Sequence, residues 1–275
     1  MSERHGYEPG VPCWIDTGQP DPRAAADFYT RLFGWQAENT MPPDAEVEYL
    51  VCRLRGRAVA AISGQPPGAA PRVAAWSTHV WVDSADDVAA KVAEAGGRVV
   101  AEPFDVFDAG RMAVLSDPTG ASFSAWQPGT HRGAQLVNEP GAWSMSALNT
   151  RDPEGAKAFY GAVFGWAPET FAVGDAEITM FRVSGYVGGE PEQPVSREVV
   201  ATMAPMSRGG FPDDVPPHWR VDFWVDDVDA TAALTAELGG DVVAPPYDLP
   251  GVGLRQAVLA DPRGATFSVT RVPGG

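Results

Sequence analysis

Positive charge is scarce in this 275-residue chain, where 20 Lys and Arg stand against 36 Asp and Glu for a formal net charge of -16. That balance argues against nucleic acid or an anionic membrane surface as a partner, and it fits a role in solubility. Cysteine is nearly absent. Cys13 and Cys52 lack CxxC spacing and fall in expected strands, so they read as buried free thiols rather than a disulfide or metal ligands. No apolar run is long enough to span a membrane, and Met1-Ser2-Glu3-Arg4-His5 carries no signal-peptide core, so the chain reads as cytoplasmic. A nucleophile elbow, a P-loop and a dinucleotide fingerprint are also missing. The double glycines Gly188-Gly189 and Gly209-Gly210 fall in expected turns or loops and offer no phosphate cradle.

What is present is a duplication. The segment from Asp21-Pro22 to Phe33-Gly34-Trp35 returns 131 residues later as Asp152-Pro153 to Phe164-Gly165-Trp166. Leu115–Ser124 returns 144 residues later as Leu259–Ser268. Offsets of this size mean that whole domains were copied rather than a short solenoid unit. Two domains of roughly 130 residues are each long enough to bury a core. The expected boundaries are 8–128 for the first domain, 129–141 for a linker and 142–273 for the second.

Each copy carries the same local signals. Asp21-Pro22 and Asp152-Pro153 each place an N-cap before a proline at the first helical position, and Gly34 and Gly165 end the helices. A second helix is expected over 84–95 and again over 227–238, stopping at Gly96-Gly97 and Gly239-Gly240. Strands are expected at Tyr49–Leu54, Arg57–Ile62, Ser77–Val82, Ala113–Leu115 and Ser122–Trp126. In the second copy they fall at Glu177–Val183, Trp219–Val225, Gln256–Leu259 and Thr266–Val269. Each domain thus reads as strand, helix and three strands performed twice. Pro/Gly-rich connectors interrupt this pattern at Gly64–Arg72 and Gly188–Pro217, and the longer one, with Met203 and Met206, has the length of a lid or binding loop.

The Asp-Pro helix ending Phe-Tyr-x-x-x-Phe-Gly-Trp, the later Val-Asp helix ending in Gly-Gly, and Asp-Pro-x-Gly-Ala-x-Phe together resemble the vicinal oxygen chelate superfamily of glyoxalase, bleomycin-resistance and extradiol-dioxygenase proteins. The resemblance runs from about Pro12 to Val272 and is closest to tandem two-domain actinobacterial members. It implies an α+β fold in which paired βαβββ units form a cupped mixed sheet around a cleft, one per domain. It also implies intrachain pairing of the two domains, as single-domain relatives pair between chains. Catalytic members hold a divalent metal with His, Gln and Glu side chains. The matching positions here are Trp14 and Met145, Ser77 and Arg220, and Ser124 and Ser268, none of which can replace an anionic or imidazole ligand. No metal and no other cofactor is therefore expected.

Alternation along a strand places every second side chain on one face. If Trp14, Ser77 and Ser124 face the first cleft, so do Asp16, His79, Trp81, Ser122 and Trp126. Such an apolar cup with a few oriented polar groups suits a small, planar aromatic ligand. The second cleft would present Met145, Arg220, Asp222, Trp224 and Ser268, with Arg220 and Asp222 close enough to pair as a structural plug or to read a ligand carboxylate. The repeat-related tryptophans Trp35/Trp166, Trp76/Trp219 and Trp81/Trp224 read as shared packing. His5, His131 and His218 read as solvated, and Arg111 and Arg255 as structural. The leading expectation is metal-independent binding of a planar aromatic or polyketide-like compound, in drug sequestration or as accessory to a biosynthetic enzyme. An isomerase, cyclase or lyase using His79 with Asp16 is the alternative, and a scaffold with vestigial clefts is the third.

Overall fold

Capping chemistry sets the first helix of each half. Asp21 accepts the Ala24 amide at 3.0 Å ahead of α1 (Pro22–Phe33), and Asp152 accepts the Gly155 amide at 3.0 Å ahead of α3 (Pro153–Phe164). Gly34 and Gly165 close these helices at φ 74° and 70°, a left-handed conformation that glycine adopts without steric cost. Ser84 and Asp227 cap α2 (Ala85–Glu94) and α4 (Val228–Glu237). The computed structural model describes residues 3–65, 74–173, 176–188, 198–207, 211–249 and 253–271.

The first domain strings β1 (Pro12–Gln19), α1, β2 (Gln36–Asn39), β3 (Tyr49–Leu54) and β4 (Arg57–Gly64) into one unit. Its second unit is β5 (Ala75–Trp81), α2, β6 (Arg98–Val106), β7 (Gly110–Ser116) and β8 (Ser122–Pro128). They share one eight-stranded sheet in the order β2-β3-β4-β1-β5-β8-β7-β6. Within each unit the first strand pairs parallel with the last, β1 with β4 and β5 with β8, while antiparallel β1 and β5 join the two units. The second domain repeats the arrangement with β9 (Trp143–Thr150), α3, β10 (Ala167–Val173), β11 (Ala176–Arg182) and β12 (Val199–Pro205), then β13 (His218–Trp224), α4, β14 (Asp241–Leu249), β15 (Leu254–Ala260) and β16 (Thr266–Arg271). This is the α+β vicinal oxygen chelate fold, in two tandem domains.

One expectation is overturned here. The Gly188–Pro217 connector is not a continuous loop, because it contains β12, which pairs parallel with β9 and antiparallel with β11. Met203 and Met206 are buried, so they are core side chains rather than lid residues. The Val199-Val200 run and its β-branched character were the available signal, masked by the Pro/Gly-rich sequence around it. Residues 66–72 of the first connector, and 189–197 and 208–210 of the second with Gly189, Gly209 and Gly210, lie outside the described residues. Cys13 and Cys52 are free and buried, and burial pushes the Cys52 thiol up to about 12.

The two domains interlock through their helix-facing sides. Phe33 of α1 meets Phe223 of β13 at 4.8 Å between ring centroids, and Tyr29 meets Phe267 at 5.8 Å. In the mirrored contact, Tyr160 and Phe164 of α3 lie 5.8 and 5.7 Å from Phe123 of β8. Two buried hydrogen bonds fasten this packing: Tyr29 donates to Asp261 Oδ2 at 3.0 Å, and Tyr160 to Asp117 Oδ2 at 3.2 Å. Each phenol also accepts an indole N–H, from Trp76 at 3.1 Å and from Trp219 at 2.9 Å. Trp35 and Trp166 donate to the carbonyls of Gly141 and Gly10 in the opposite half, both at 2.7 Å. These repeat-related tryptophans are therefore packing residues. Arg111 and Arg255 make matching ion pairs, with Asp86 and Asp105 in one copy and Asp229 and Asp248 in the other.

Removing either phenol hydroxyl strands a buried indole N–H and takes a donor from a buried carboxylate. Tyr29→Phe and Tyr160→Phe should each cost about 1–3 kcal/mol in urea unfolding, with the loss shared by both domains. A variant whose second domain unfolds with unchanged midpoint would show that the clasp does not couple them.

Candidate functional site

Register alone gathers the first cup. Trp14 pairs with His79, Asp16 with Ser77, His79 with Ser124 and Trp81 with Trp126, so these side chains share the sheet face opposite the helices. Ser122 lies on the same strand face but is exposed, its hydroxyl donating to the Leu115 carbonyl at 3.2 Å. Tyr49, which the sequence reading had not placed here, accepts the Trp14 indole N–H at 2.9 Å and donates to Asp16 Oδ2 at 3.3 Å.

The segment expected to be a linker lies over this cup. Ala134 N–H donates to the Cys13 carbonyl at 2.8 Å, and Gln135 N–H to the Ala58 carbonyl at 2.7 Å. Gly133, at φ 86°, permits the approach, since a Cβ there would stand 2.5 Å from the Cys13 oxygen. His131 is thereby set edge-on to Trp14 and Trp126, with centroids 4.5 and 5.5 Å away, and its carbonyl accepts the Trp126 indole N–H at 3.1 Å. Arg132 lies 5.3 Å over the Trp81 ring. Trp14, Trp81 and Trp126 are consequently only 2, 6 and 5% exposed: the chain itself occupies their faces.

Two histidines depart from expectation. His131 is not solvated but enclosed by indoles, and His218 lies on β13 with its ring nitrogens 3.1 Å from Asn149 Nδ2 and 2.9 Å from the Pro216 carbonyl. His5 is exposed. His79 Nε2 stands 3.1 Å from Asp16 Oδ1 but out of line for a hydrogen bond, so among the described residues both its buried ring nitrogens lack a hydrogen-bond partner, as does His131 Nε2. Desolvation, reinforced by repulsion from His79, holds the His131 imidazole down to about 4.

The second cup is more open. Across its floor Met180, Thr202, Ala147 and Arg220 are successive cross-strand partners, all half-buried, and Met145, Asp222 and Ser268 form the next row. Trp224 is half-buried one position along β13 from Phe223, on the Asp222 face. Arg220 and Asp222 do not pair. Asp222 Oδ1 accepts from the Thr270 hydroxyl at 2.7 Å and Gln256 Nε2 at 3.3 Å, and Oδ2 from the Ser144 hydroxyl at 3.1 Å. Those donors leave the carboxylate no reason to reach the guanidinium. Among the described residues Arg220 has no ion pair and no hydrogen bond, and its Nε is buried. Burial raises the Asp222 carboxyl and lowers the Arg220 guanidinium, each opposed in part by the other's charge. Ser144 was missed in the sequence because a bulge between Asp222 and Phe223 shifts the pairing that brings it to Asp222, and Gln256 because it reaches Asp222 across the intervening strand β16.

The superfamily's metal does not fit these residues. An indole that already donates to Tyr49, hydroxyls and a cationic Arg220 occupy the positions matched to ligands. Among the described residues no three His, Cys, Asp or Glu converge as a metal set. A groove of about 320 Å³ between α1 and α4 is lined by Leu32, Phe33 and Asp227 on the helix side, away from both cups.

Comparison with known proteins agrees with the fold. Residues 132–270 match the model of a glyoxalase-like domain, and residues 15–124 that of the Glyoxalase/Bleomycin resistance protein/Dioxygenase superfamily. The protein named "Putative glyoxylase CFP32" of Mycobacterium tuberculosis (strain CDC 1551 / Oshkosh) is 42% identical over 98% of each chain. "Anthracycline biosynthesis protein DnrV" of Streptomyces peucetius is 36% identical over 98% of this chain and 96% of its own. Among solved structures, the Mn(II)-bound glyoxalase from Novosphingobium aromaticivorans superposes with a TM-score of 0.63 at 17% identity, covering 96% of this chain and 82% of that one.

A half-buried His131 held neutral has a consequence for stability. Its folded pKa of about 4 lies below the ordinary 6.5, so the unfolded chain binds the proton first as pH falls. Stability is therefore lost progressively as pH drops from about 6.5 toward 4, by on the order of 3 kcal/mol. His131→Phe keeps a ring between the indoles and should lose less stability than the wild type between about pH 7 and 4.5 in urea unfolding. Equal losses would show that the imidazole is not held neutral.

Proposed function

The chain belongs to the glyoxalase/bleomycin resistance protein/dioxygenase superfamily, and from that premise we propose that it binds a planar aromatic, polyketide-like small molecule without a metal ion, in sequestering such a compound or as accessory to a biosynthetic enzyme. The observation that supports this reading is the half-open floor of the second cup. Met145, Ala147 and Met180 offer an adaptable apolar bed, and Arg220 and Trp224 stand on the same face. Full-length similarity to proteins named for anthracycline biosynthesis, at 36–37% identity, favours a fused aromatic ligand. The first cup contributes a smaller set, with Asp16, Ser77 and Tyr49 half-buried beside the covered indoles. This moves the centre of the proposed site from the first domain to the second.

Magnitudes require a polar contribution. A ligand burying roughly 300 Å² of apolar surface gains about 7 kcal/mol, and association costs remove part of it. Micromolar binding needs about 8 kcal/mol. Hydrophobic contact alone falls short.

One observation favours a second reading, proton transfer by His79 with Asp16. The 3.1 Å contact and the two unpartnered ring nitrogens are what a base awaiting a substrate proton would present. A His79→Gln variant that binds ligand but loses turnover would favour it, and unchanged chemistry in that variant would remove it.

Fluorescence titration with 1,4-dihydroxyanthraquinone tests the leading reading. Saturable quenching at micromolar ligand should persist in EDTA, weaken in Trp224→Phe and survive in Trp126→Phe, whose indole is covered. Quenching that EDTA abolishes would instead require a metal, and the absence of a saturable response would remove this ligand class.

A further inference from the structure

A guanidinium half-withdrawn from water normally has an anion beside it, because an uncompensated charge costs stability. Arg220 has none. The acidic group beside it on β13 is committed elsewhere, Asp222 accepting from Thr270, Gln256 and Ser144. The Tyr247 hydroxyl donates to Gln256 Oε1 at 2.6 Å and accepts no hydrogen bond from the cation. The neighbouring hydroxyls, amide and phenol thus form a closed network centred on Asp222, and Arg220 is left outside it. Its Nε is enclosed by the floor, while its terminal nitrogens are not among the buried unpartnered atoms. A fixed positive charge therefore faces the cup with its donors unspent.

We propose that Arg220 makes the second cup a carboxylate-reading site, in which its planar fork takes the carboxylate of an aromatic acid in a bidentate pair while the rings lie on Met145, Ala147 and Met180. The fork matches a carboxylate in a way that an ammonium cannot. A bidentate pair in a partly desolvated site supplies the polar contribution that apolar contact lacks. Asp222, with its oxygens satisfied by Thr270, Gln256 and Ser144, makes no ion pair that would compete for Arg220. The protein's acidic surface, at a formal -16, would slow the approach of an anion, so the site gains selectivity for the acid from the local cation and not from the overall field. This rests on the reading that the cup holds a planar aromatic ligand.

The test compares anthraquinone-2-carboxylate with its methyl ester by calorimetric titration of the full chain. The wild type should bind the acid at least about tenfold more tightly than the ester, a difference of about 1.4 kcal/mol. Arg220→Met, which keeps the length and apolar stem, should bring the two within about twofold while leaving ester affinity intact. Arg220→Lys should keep an intermediate preference. The unliganded Arg220→Met protein should melt no lower than the wild type, since a structural arginine would be missed and an unpaired one would not. Should Arg220→Met fail to fold, Arg220 is structural and the proposal falls. Equal binding of acid and ester by the wild type also overturns the carboxylate role, with the aromatic-binding reading left standing. Failure of both compounds to bind overturns that reading and this inference with it.

Discussion

The buried clasp of Tyr29 on Asp261 and Tyr160 on Asp117 is the constraint on which the remaining architecture rests. Each aspartate does two things at once. One oxygen holds its own turn, Asp117 Oδ1 accepting the amides of Thr119 and Ala121 and Asp261 Oδ1 those of Arg263 and Ala265. The other oxygen takes a phenol from the opposite domain, and Asp261 also accepts Gln19 Nε2 at 2.7 Å. In an interior that excludes water, each donor and acceptor has one satisfactory arrangement. The first helix of each domain is thereby pressed onto the other domain's sheet, and the two cups are turned away from this interface.

From there the copies diverge through what covers their floors. The chain leaving β8 turns back across the first cup, and His131 fills the space between two indoles. At the second cup the described residues supply no such cover, and its floor stays half-exposed. Larger aromatic side chains made the first cup self-filling. Smaller or more flexible ones, Met145 for Trp14 and Thr270 for Trp126, left room in the second. The polar networks differ in the same direction. In the first cup both ring nitrogens of His79 and Nε2 of His131 lack a hydrogen-bond partner among the described residues, whereas in the second a carboxylate is saturated and a guanidinium is left over.

Much of the fold was legible in the residues. Asp-Pro caps, glycine stops and the alternating runs placed four helices, and Tyr49–Leu54 matched β3 to the residue. These signals are local: a cap or a period depends on neighbours within a turn or along a strand. β12 escaped because proline and glycine around it outweighed its short alternating pattern. In the site, the shared face of Trp14, Asp16, Ser77 and His79 was also legible, since period-two alternation needs no tertiary information. Tyr49 was not, because its meeting with Trp14 depends on pairing through the intervening strand β4. Nor was His131, whose linker sequence carries no sign of where it docks.

By itself, then, the sequence determined the duplicated units, their caps, their faces and the net acidity, all properties of residues and their near neighbours. Only the tertiary structure decided which cup is filled and which is open, and that Asp222 spends its oxygens on Thr270, Gln256 and Ser144 instead of on Arg220. The physical reason is competition through space. An i,i+2 spacing brings two charges to one face, but whether they pair depends on every other donor within reach, and those donors arrive from strands distant along the chain.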